Sequence, residues 1–179
     1  MLHFWYLCVR IVAVAFLKPR VSPRSTITLR FFCSPWVSDN FYVMNASRYS
    51  EYSDAGRWEL AVRIGLFSYL KKNRITVHLA GQKITYFKGL PCLRFFNLEM
   101  KLIGFDENWI YVAQAFTRNG KVHCYILTKL VLMHKGKRVS HEEKLKEAGI
   151  PHISPNNPLA QEFSNDRSVK DLVTEFLRD

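Results

Sequence analysis

Residues 38–60, SDNFYVMNASRYSEYSDAGRWEL, decide how the rest of the chain is organised. The stretch opens with an acidic residue, Asp39, in a loop, and Asn45-Ala46-Ser47 then starts a helical pattern. Over residues 47–70, Tyr49, Tyr52, Gly56, Leu60, Ile64 and Phe67 recur at three- and four-residue intervals. That spacing gathers them on one face of a helix. Glu51, Asp54, Arg57 and Arg63 fall on the opposite, wetter face. Gly56 costs such a helix about 1 kcal/mol relative to alanine, so its position predicts close approach to a neighbouring backbone.

On either side of the helix the period changes to two. STITLRFFC, residues 25–33, reads as a first strand between prolines. ITVHLAGQKITYF, residues 75–87, is β-branched and aromatic. In RFFNLEMKLIGF, Phe96, Leu98, Met100 and Leu102 alternate with Asn97, Glu99 and Lys101, the pattern of a strand with one wet face. Asp106-Glu107-Asn108 marks a turn before the return strand WIYVAQAFT, where Trp109 and Tyr111 share a face and are expected to pack in the sheet core. Arg118-Asn119-Gly120 is a hairpin signal, because Asn and Gly tolerate positive φ, and KVHCYILTKLVLM closes the meander. The tail offers two short helices, SHEEKLKEAG and DRSVKDLVTEFLRD, separated by a Pro/Asn-rich connector. The order is one strand, one long helix and four strands in antiparallel hairpins. A helix with one apolar stripe and a sheet with one apolar face cover each other, which makes this an α+β fold. Three regions follow: an apolar N-terminal segment (residues 1–24), a central domain (25–139) and a C-terminal helical extension (140–179).

The chain has 179 residues, 48% of them hydrophobic and 14% aromatic, enough for one compact domain. Its formal charge of +11 fits nucleic acid, an anionic membrane surface or a phosphate-bearing ligand. The basic residues are scattered, with no helix-turn-helix, RNA-binding or zinc-finger signature, so nucleic acid is not expected as a partner. Cys8, Cys33, Cys92 and Cys124 form no CxxC pair and read as reduced, mostly buried thiols of a cytoplasmic protein. The histidines lack ligand spacing, so no metal is expected. Residues 1–17 are apolar apart from His3 and Arg10, and fall short of the roughly 20 apolar residues that span a bilayer. Their positive charges follow the apolar run, unlike a signal peptide. Residues 1–20 are either a helix packed on the domain or a membrane anchor with a cytoplasmic basic flank. Asn45-Ala46-Ser47 also fits a glycosylation sequon, a chance match in a chain that is not secreted.

Asp39, Met44-Asn45, Arg48-Tyr49 and LIGFDENWIYVAQAF (residues 102–116) together resemble the hotdog-fold thioesterases of the 4-hydroxybenzoyl-CoA thioesterase type. The resemblance is closest to the branch of thioesterase superfamily member 6 and its bacterial acyl-CoA thioesterase relatives. That branch carries D-x-N-x-H-M-N-N-x-R-Y and L-x-G-W-D-E-K-W-F-Y-L-x-Q-x-F, and the likeness covers about residues 25–134. It implies an antiparallel sheet wrapped around a long central helix, and a homodimer or dimer of dimers. Val43 stands where the branch usually has His, and Ala46 where it has a second Asn. Thioesterases of the 4-hydroxybenzoyl-CoA type also have an apolar residue at the first of these positions while keeping the Asp.

The implied activity is hydrolysis of a fatty or aromatic acyl-CoA, with coenzyme A as part of the substrate and no separate cofactor. Such hydrolysis needs a nucleophile and a stabiliser for the carbonyl oxygen. Asp39 suits the first need as base or nucleophile. Backbone amides around Asn45, Ala46 and Ser47 suit the second, since first-turn N–H groups lack intrahelical partners and the helix dipole adds positive charge. The bland alternative is an ordinary turn at Asp39 and a simple helix cap at Asn45. Asp54 and Glu51 are reserve acids, either of which is as readily solvated or paired, for instance with Arg57. Tyr49, Gln82 and Lys83 are candidate substrate contacts, and Lys88, Arg94 and residues 135–138 offer charges for the phosphates of coenzyme A. The competing class is a non-catalytic acyl-thioester-binding or membrane-associated protein on the same fold.

Overall fold

The computed structural model describes residues 19–155 together with Val9 and Ala13. Most of the apolar N-terminal segment, Cys8 and the expected helix DRSVKDLVTEFLRD lie outside the described residues. Strand β1 (Ile27–Cys33) buries every second residue, as a strand with one wet face should. A 3-10 turn at Pro35–Val37 leads to a small hairpin, β2 (Ser38–Asp39) and β3 (Val43–Met44). Then come helices α1 (Ala46–Arg63) and α2 (Leu66–Lys72), and strands β4 (Ile75–Tyr86), β5 (Arg94–Phe105), β6 (Ile110–Arg118), β7 (Lys121–His134) and β8 (Lys137–Arg138). Helix α3 (His141–Glu147) follows, capped by the Ser140 hydroxyl as SHEEKLKEAG predicts.

The large sheet runs β1-β5-β6-β7-β4, antiparallel throughout, with β8 added to β7. Its register shifts at Leu79/Gly81, Leu102/Gly104 and Phe116/Thr117. Bulges of this kind bend strands and increase their twist, so the sheet curls around α1 in the expected hotdog arrangement. The seam between them is aromatic. Tyr52 meets Phe31 at 4.9 Å and Phe96 at 5.2 Å between ring centroids, and Tyr49 meets Phe116 at 5.0 Å. Edge-to-face pairs of this sort are worth about 0.5–1.5 kcal/mol beyond the area they bury.

Three expectations change. The single helix over residues 47–70 is two, because Gly65 adopts φ +81° and turns the chain between α1 and α2; Phe67 therefore leaves the buried face and packs on Trp58. The four later strands are not consecutive hairpins: β4 crosses to the edge beside β7, and only β5-β6-β7 form a meander. Gly56 does approach the sheet closely, but against side chains rather than backbone. A Cβ there would lie 2.6 Å from Met100 Cε and 2.9 Å from Leu98 Cδ2. Tyr111 and Trp109 pack together on the sheet as expected, in a small core cluster with Ile103 and Leu127 distinct from the main one.

Cys33, Cys92 and Cys124 are buried and free, and burial pushes the thiols of Cys33 and Cys124 up to about 11 and about 12. Among the described residues no helix is long and apolar enough to cross a membrane, and no cluster of side chains could hold a metal ion.

Two stability measurements follow from this packing. Gly56→Ala gains about 1 kcal/mol of helix propensity but overpacks a filled seam, which costs about 1–3 kcal/mol. Urea denaturation should show a net loss of about 1 kcal/mol. His141 clasps α3 to the sheet: Nε2 accepts from the Leu132 N–H at 2.8 Å, while Nδ1 lies 2.7 Å from the Glu107 carbonyl. The clasp requires a neutral ring protonated at Nδ1. Burial holds the imidazole below its usual range, with Arg138 adding to this and the Glu107 carbonyl and Asp106 opposing. The unfolded chain therefore binds the extra proton first, so the clasp contributes fully above about pH 6.5 and is lost as pH falls below it. Melting temperature should fall from pH 7 to pH 5, and the fall should shrink in His141→Gln.

Candidate functional site at the head of helix α1

The turn joining β2 and β3 places Asn40 at φ 47° and Phe41 at φ 63°, with the Tyr42 N–H returning to the Asp39 carbonyl at 3.0 Å. Asn accepts the left-handed region readily, whereas Phe there is strained. The far arm of the hairpin is fixed from outside: the Met44 N–H donates to Leu90 O, the Cys92 N–H donates to Tyr42 O, and Val43 bridges to Pro91. Val43 also packs directly on Gly89, where an added Cβ would lie 2.8 Å from Val43 Cγ1. The apolar residue at position 43 is thus part of how this loop is seated.

Asn45 joins the hairpin to the helix. Its Oδ1 accepts from the Ser47 N–H at 2.8 Å and the Ser47 hydroxyl at 2.6 Å, while its Nδ2 donates to Asp39 Oδ1 at 2.6 Å. One amide side chain therefore caps α1 and holds the Asp39 carboxylate at its N-terminus. Among the described residues no acceptor engages the Ala46 N–H, the first amide of the helix. Tyr86, at the end of β4, donates its hydroxyl to the Ala46 carbonyl at 3.2 Å. Around this point Trp36, Phe41, Tyr42 and Phe87 are exposed aromatic side chains. A carboxylate, a partnerless amide and the positive end of a helix dipole thus meet at one surface.

The other candidates divide between two places. Tyr49, expected as a substrate contact, is a residue of the core. It is 2% exposed, its hydroxyl accepts from the Leu90 N–H at 3.1 Å, and burial pushes it up to about 12. Gln82 reaches the middle of α1 rather than its head, accepting from Ser50 Oγ at 3.3 Å and donating to Ser53 Oγ at 3.4 Å. Lys83 is exposed on β4. Glu51 pairs with Arg48, and Asp54 pairs with Arg57 one turn on, as their spacing suggests. Lys88 and Arg94 are exposed on the segment seated against the hairpin. Lys137 and Arg138 lie beyond β7 at the end of the sheet near Ile75, away from Asp39.

A polar cluster in mid-helix escapes the sequence pattern. Ser53 is buried and donates to Gln114 Oε1 at 2.6 Å; Thr128 donates to the same oxygen at 3.2 Å, and Gln114 Nε2 returns to the Ser53 carbonyl at 3.0 Å. Arg57 turns inward from the expected wet face and donates to Ser53 Oγ at 2.7 Å; burial lowers its guanidinium to about 10. Gln114 and Thr128 sit on the inward face of their strands, and that parity was the only sequence signal for this cluster. Beside it a cavity of about 250 Å³ runs under the C-terminal half of α1, apolar except at Asp54 and Arg57.

The cap and the carboxylate link are separable. Asn45→Ala should lose about 1 kcal/mol of stability, whereas Asn45→Asp, an equivalent cap, should stay within about 0.5 kcal/mol while repelling Asp39. Urea titration of both variants tests this.

Residues 33–162 match the family described as the Thioesterase-like superfamily. A curated relative, probable thioesterase YBR096W of Saccharomyces cerevisiae, is 27% identical over 129 residues, covering 70% of this chain and 56% of that protein. The chain thus spans little more than half the length of that relative. Among solved structures, the probable thioesterase YbaW of Escherichia coli superposes with a TM-score of 0.59 at 17% identity, covering 72% of this chain and 98% of that one. The hypothetical protein SAV2348 of Staphylococcus aureus, solved in complex with CoA, gives a TM-score of 0.60 at 12% identity, covering 72% and 84%.

Proposed function

The chain belongs to the Thioesterase-like superfamily, and on that premise we propose that it hydrolyses acyl-CoA thioesters at the head of α1. The observation that carries this reading is the 2.6 Å link from Asn45 Nδ2 to Asp39 Oδ1, which ties the carboxylate to the residue that caps α1; the first amide of that helix, the Ala46 N–H, has no acceptor among the described residues. The relatives described as probable thioesterases, and the neighbour that binds CoA, support the reaction class.

In the hydrolytic step water attacks the thioester carbon while Asp39 takes its proton. The carbonyl oxygen gains negative charge and accepts from the Ala46 amide. Collapse then breaks the carbon–sulfur bond, and the departing thiolate takes the proton back from Asp39. General-base assistance is typically worth about 10²–10⁴-fold, and one oxyanion donor about 10²–10³-fold. Direct attack by Asp39, giving an anhydride that water then opens, uses the same geometry. Because the donor is backbone, Ala46 needs no polar side chain. Lys88 and Arg94, on the segment seated against the hairpin, suit the phosphates of coenzyme A.

The same region supports a homodimer. Among the described residues β4 is the last strand of the sheet beside β7, an edge that is a template for pairing with a second sheet. The exposed side chains of Tyr86 and Phe87, with strained Phe41, would be covered by such a partner. Val43 favours the second reading, an acyl-thioester binder without turnover, because its side chain seats the loop instead of offering a polar group to the substrate.

A screen of short, long and aromatic acyl-CoAs tests the proposal. Asp39→Asn should lower kcat at least 100-fold with its fold intact, and Asn45→Asp should lose activity without losing stability. Undiminished turnover in Asp39→Asn would transfer the role to Asp54 or Glu51. CoA binding with no turnover on any substrate would establish the binder.

A further inference from the structure

We propose that the cavity under the C-terminal half of α1 is a separate binding site for a medium-chain carboxylate, with its alkyl tail in the cavity and its head on Arg57. At 1.5 Å per residue, Arg57 stands about 16 Å along the helix from Ala46. A ligand with its head on Arg57 and its tail running towards Ile64 therefore extends away from Asp39, and the site does not depend on the proposed hydrolysis.

The walls define the tail. Leu60 of α1, Ile64 just after it, Leu70 of α2, Val112 of β6 and Leu132 of β7 leave an apolar volume of about 250 Å³. With roughly 30 Å³ for each water-sized group, that holds a chain of about eight carbons. A cavity this apolar offers water few partners, so an alkyl chain is its matching occupant. The mouth defines the head. Asp54, Trp58 and Leu79 line the cavity and are all partly exposed, so the opening lies between α1 and the edge of β4. Arg57 stands at this opening with its side chain only 12% exposed. One nitrogen, Nη1, is held inward by Ser53 Oγ, with Gln114 Oε1 and Thr128 Oγ1 each 3.4 Å away. The other, Nη2, already takes a carboxylate, that of Asp54, whose side chain is 57% exposed. Asp54 thus occupies the place of the ligand head, and it can swing into water when a carboxylate bearing a tail arrives.

Calorimetric titration of the full chain with straight-chain carboxylates of four to twelve carbons provides the test. Affinity should rise about fourfold per methylene up to about eight carbons, then level off. Octanol, which keeps the tail and lacks the charge, should bind ten- to a hundredfold more weakly than octanoate. Ala61→Phe, which fills the cavity from α1, should abolish the dependence on chain length. Asp54→Asn should tighten octanoate by removing its internal competitor. Asp39→Asn should bind octanoate like the unmodified chain, so this site and the hydrolytic site fail independently. No heat with octanoate, affinity indifferent to chain length, or octanoyl-CoA displacing octanoate with equal effect in the Ala61→Phe variant would overturn the proposal.

Discussion

The contact between α1 and β5 at Gly56 sets the depth at which the helix lies in the sheet. Met100 and Leu98 occupy the space where any larger residue would put its side chain. With the helix this close, Tyr52 reaches Phe31 and Phe96 on one side while Tyr49 reaches Phe116 on the other. Raising the helix by the width of a methyl group would open those ring contacts. It would also lift Ser53 away from Gln114. The helix propensity lost at Gly56 is a small term beside the aromatic seam it permits.

That depth also fixes where the two ends of α1 emerge. At the N-terminus, Asn45 satisfies a first-turn amide through Oδ1 and steadies Asp39 through Nδ2. A cap need do only the first of these. Ser or Thr would cap as well, but would offer no second donor aimed at the hairpin. Asparagine carries its acceptor and its donor on separate atoms, so Oδ1 can cap the helix while Nδ2 points at the hairpin. The hairpin is seated independently by Leu90, Pro91 and Cys92, so the acid is held from both sides.

The sequence was most legible where local chemistry decides structure. The alternation in β5, the Asn119-Gly120 turn, the cap at Asn45 and the buried stripe Tyr49, Tyr52, Gly56 and Leu60 all follow from spacing and side-chain type. The place of β4 did not, because hairpin adjacency is a local expectation and β4 pairs with β7, beyond both β5 and β6 in the chain. The break at Gly65 was masked by a hydrophobic pattern that continues across it in Ile64 and Phe67. The link between Asp39 and Asn45 was legible as proximity but not as a hydrogen bond. Least visible was Arg57. Its spacing puts it on the wet face, yet its length lets it bend back along α1 into Ser53, Gln114 and Thr128, which come from three separate elements.

Arg57 raises a question that stability alone does not answer. Taking a guanidinium out of water is expensive, and replacing such a buried charge by apolar residues is often neutral or stabilising. Here an apolar solution lies close at hand, since Leu60, Val112 and Leu132 already line the adjoining cavity. Ser53, Gln114 and Thr128 satisfy the inner nitrogen with neutral oxygens, which relieve the desolvation only in part. The carboxylate that pairs with Arg57, that of Asp54, is more than half exposed and so screened by solvent. A fold that needed only stability would be better served by filling the cavity and removing the charge. Keeping a cation at the lip of an apolar cavity makes physical sense when something both apolar and anionic is to be held there.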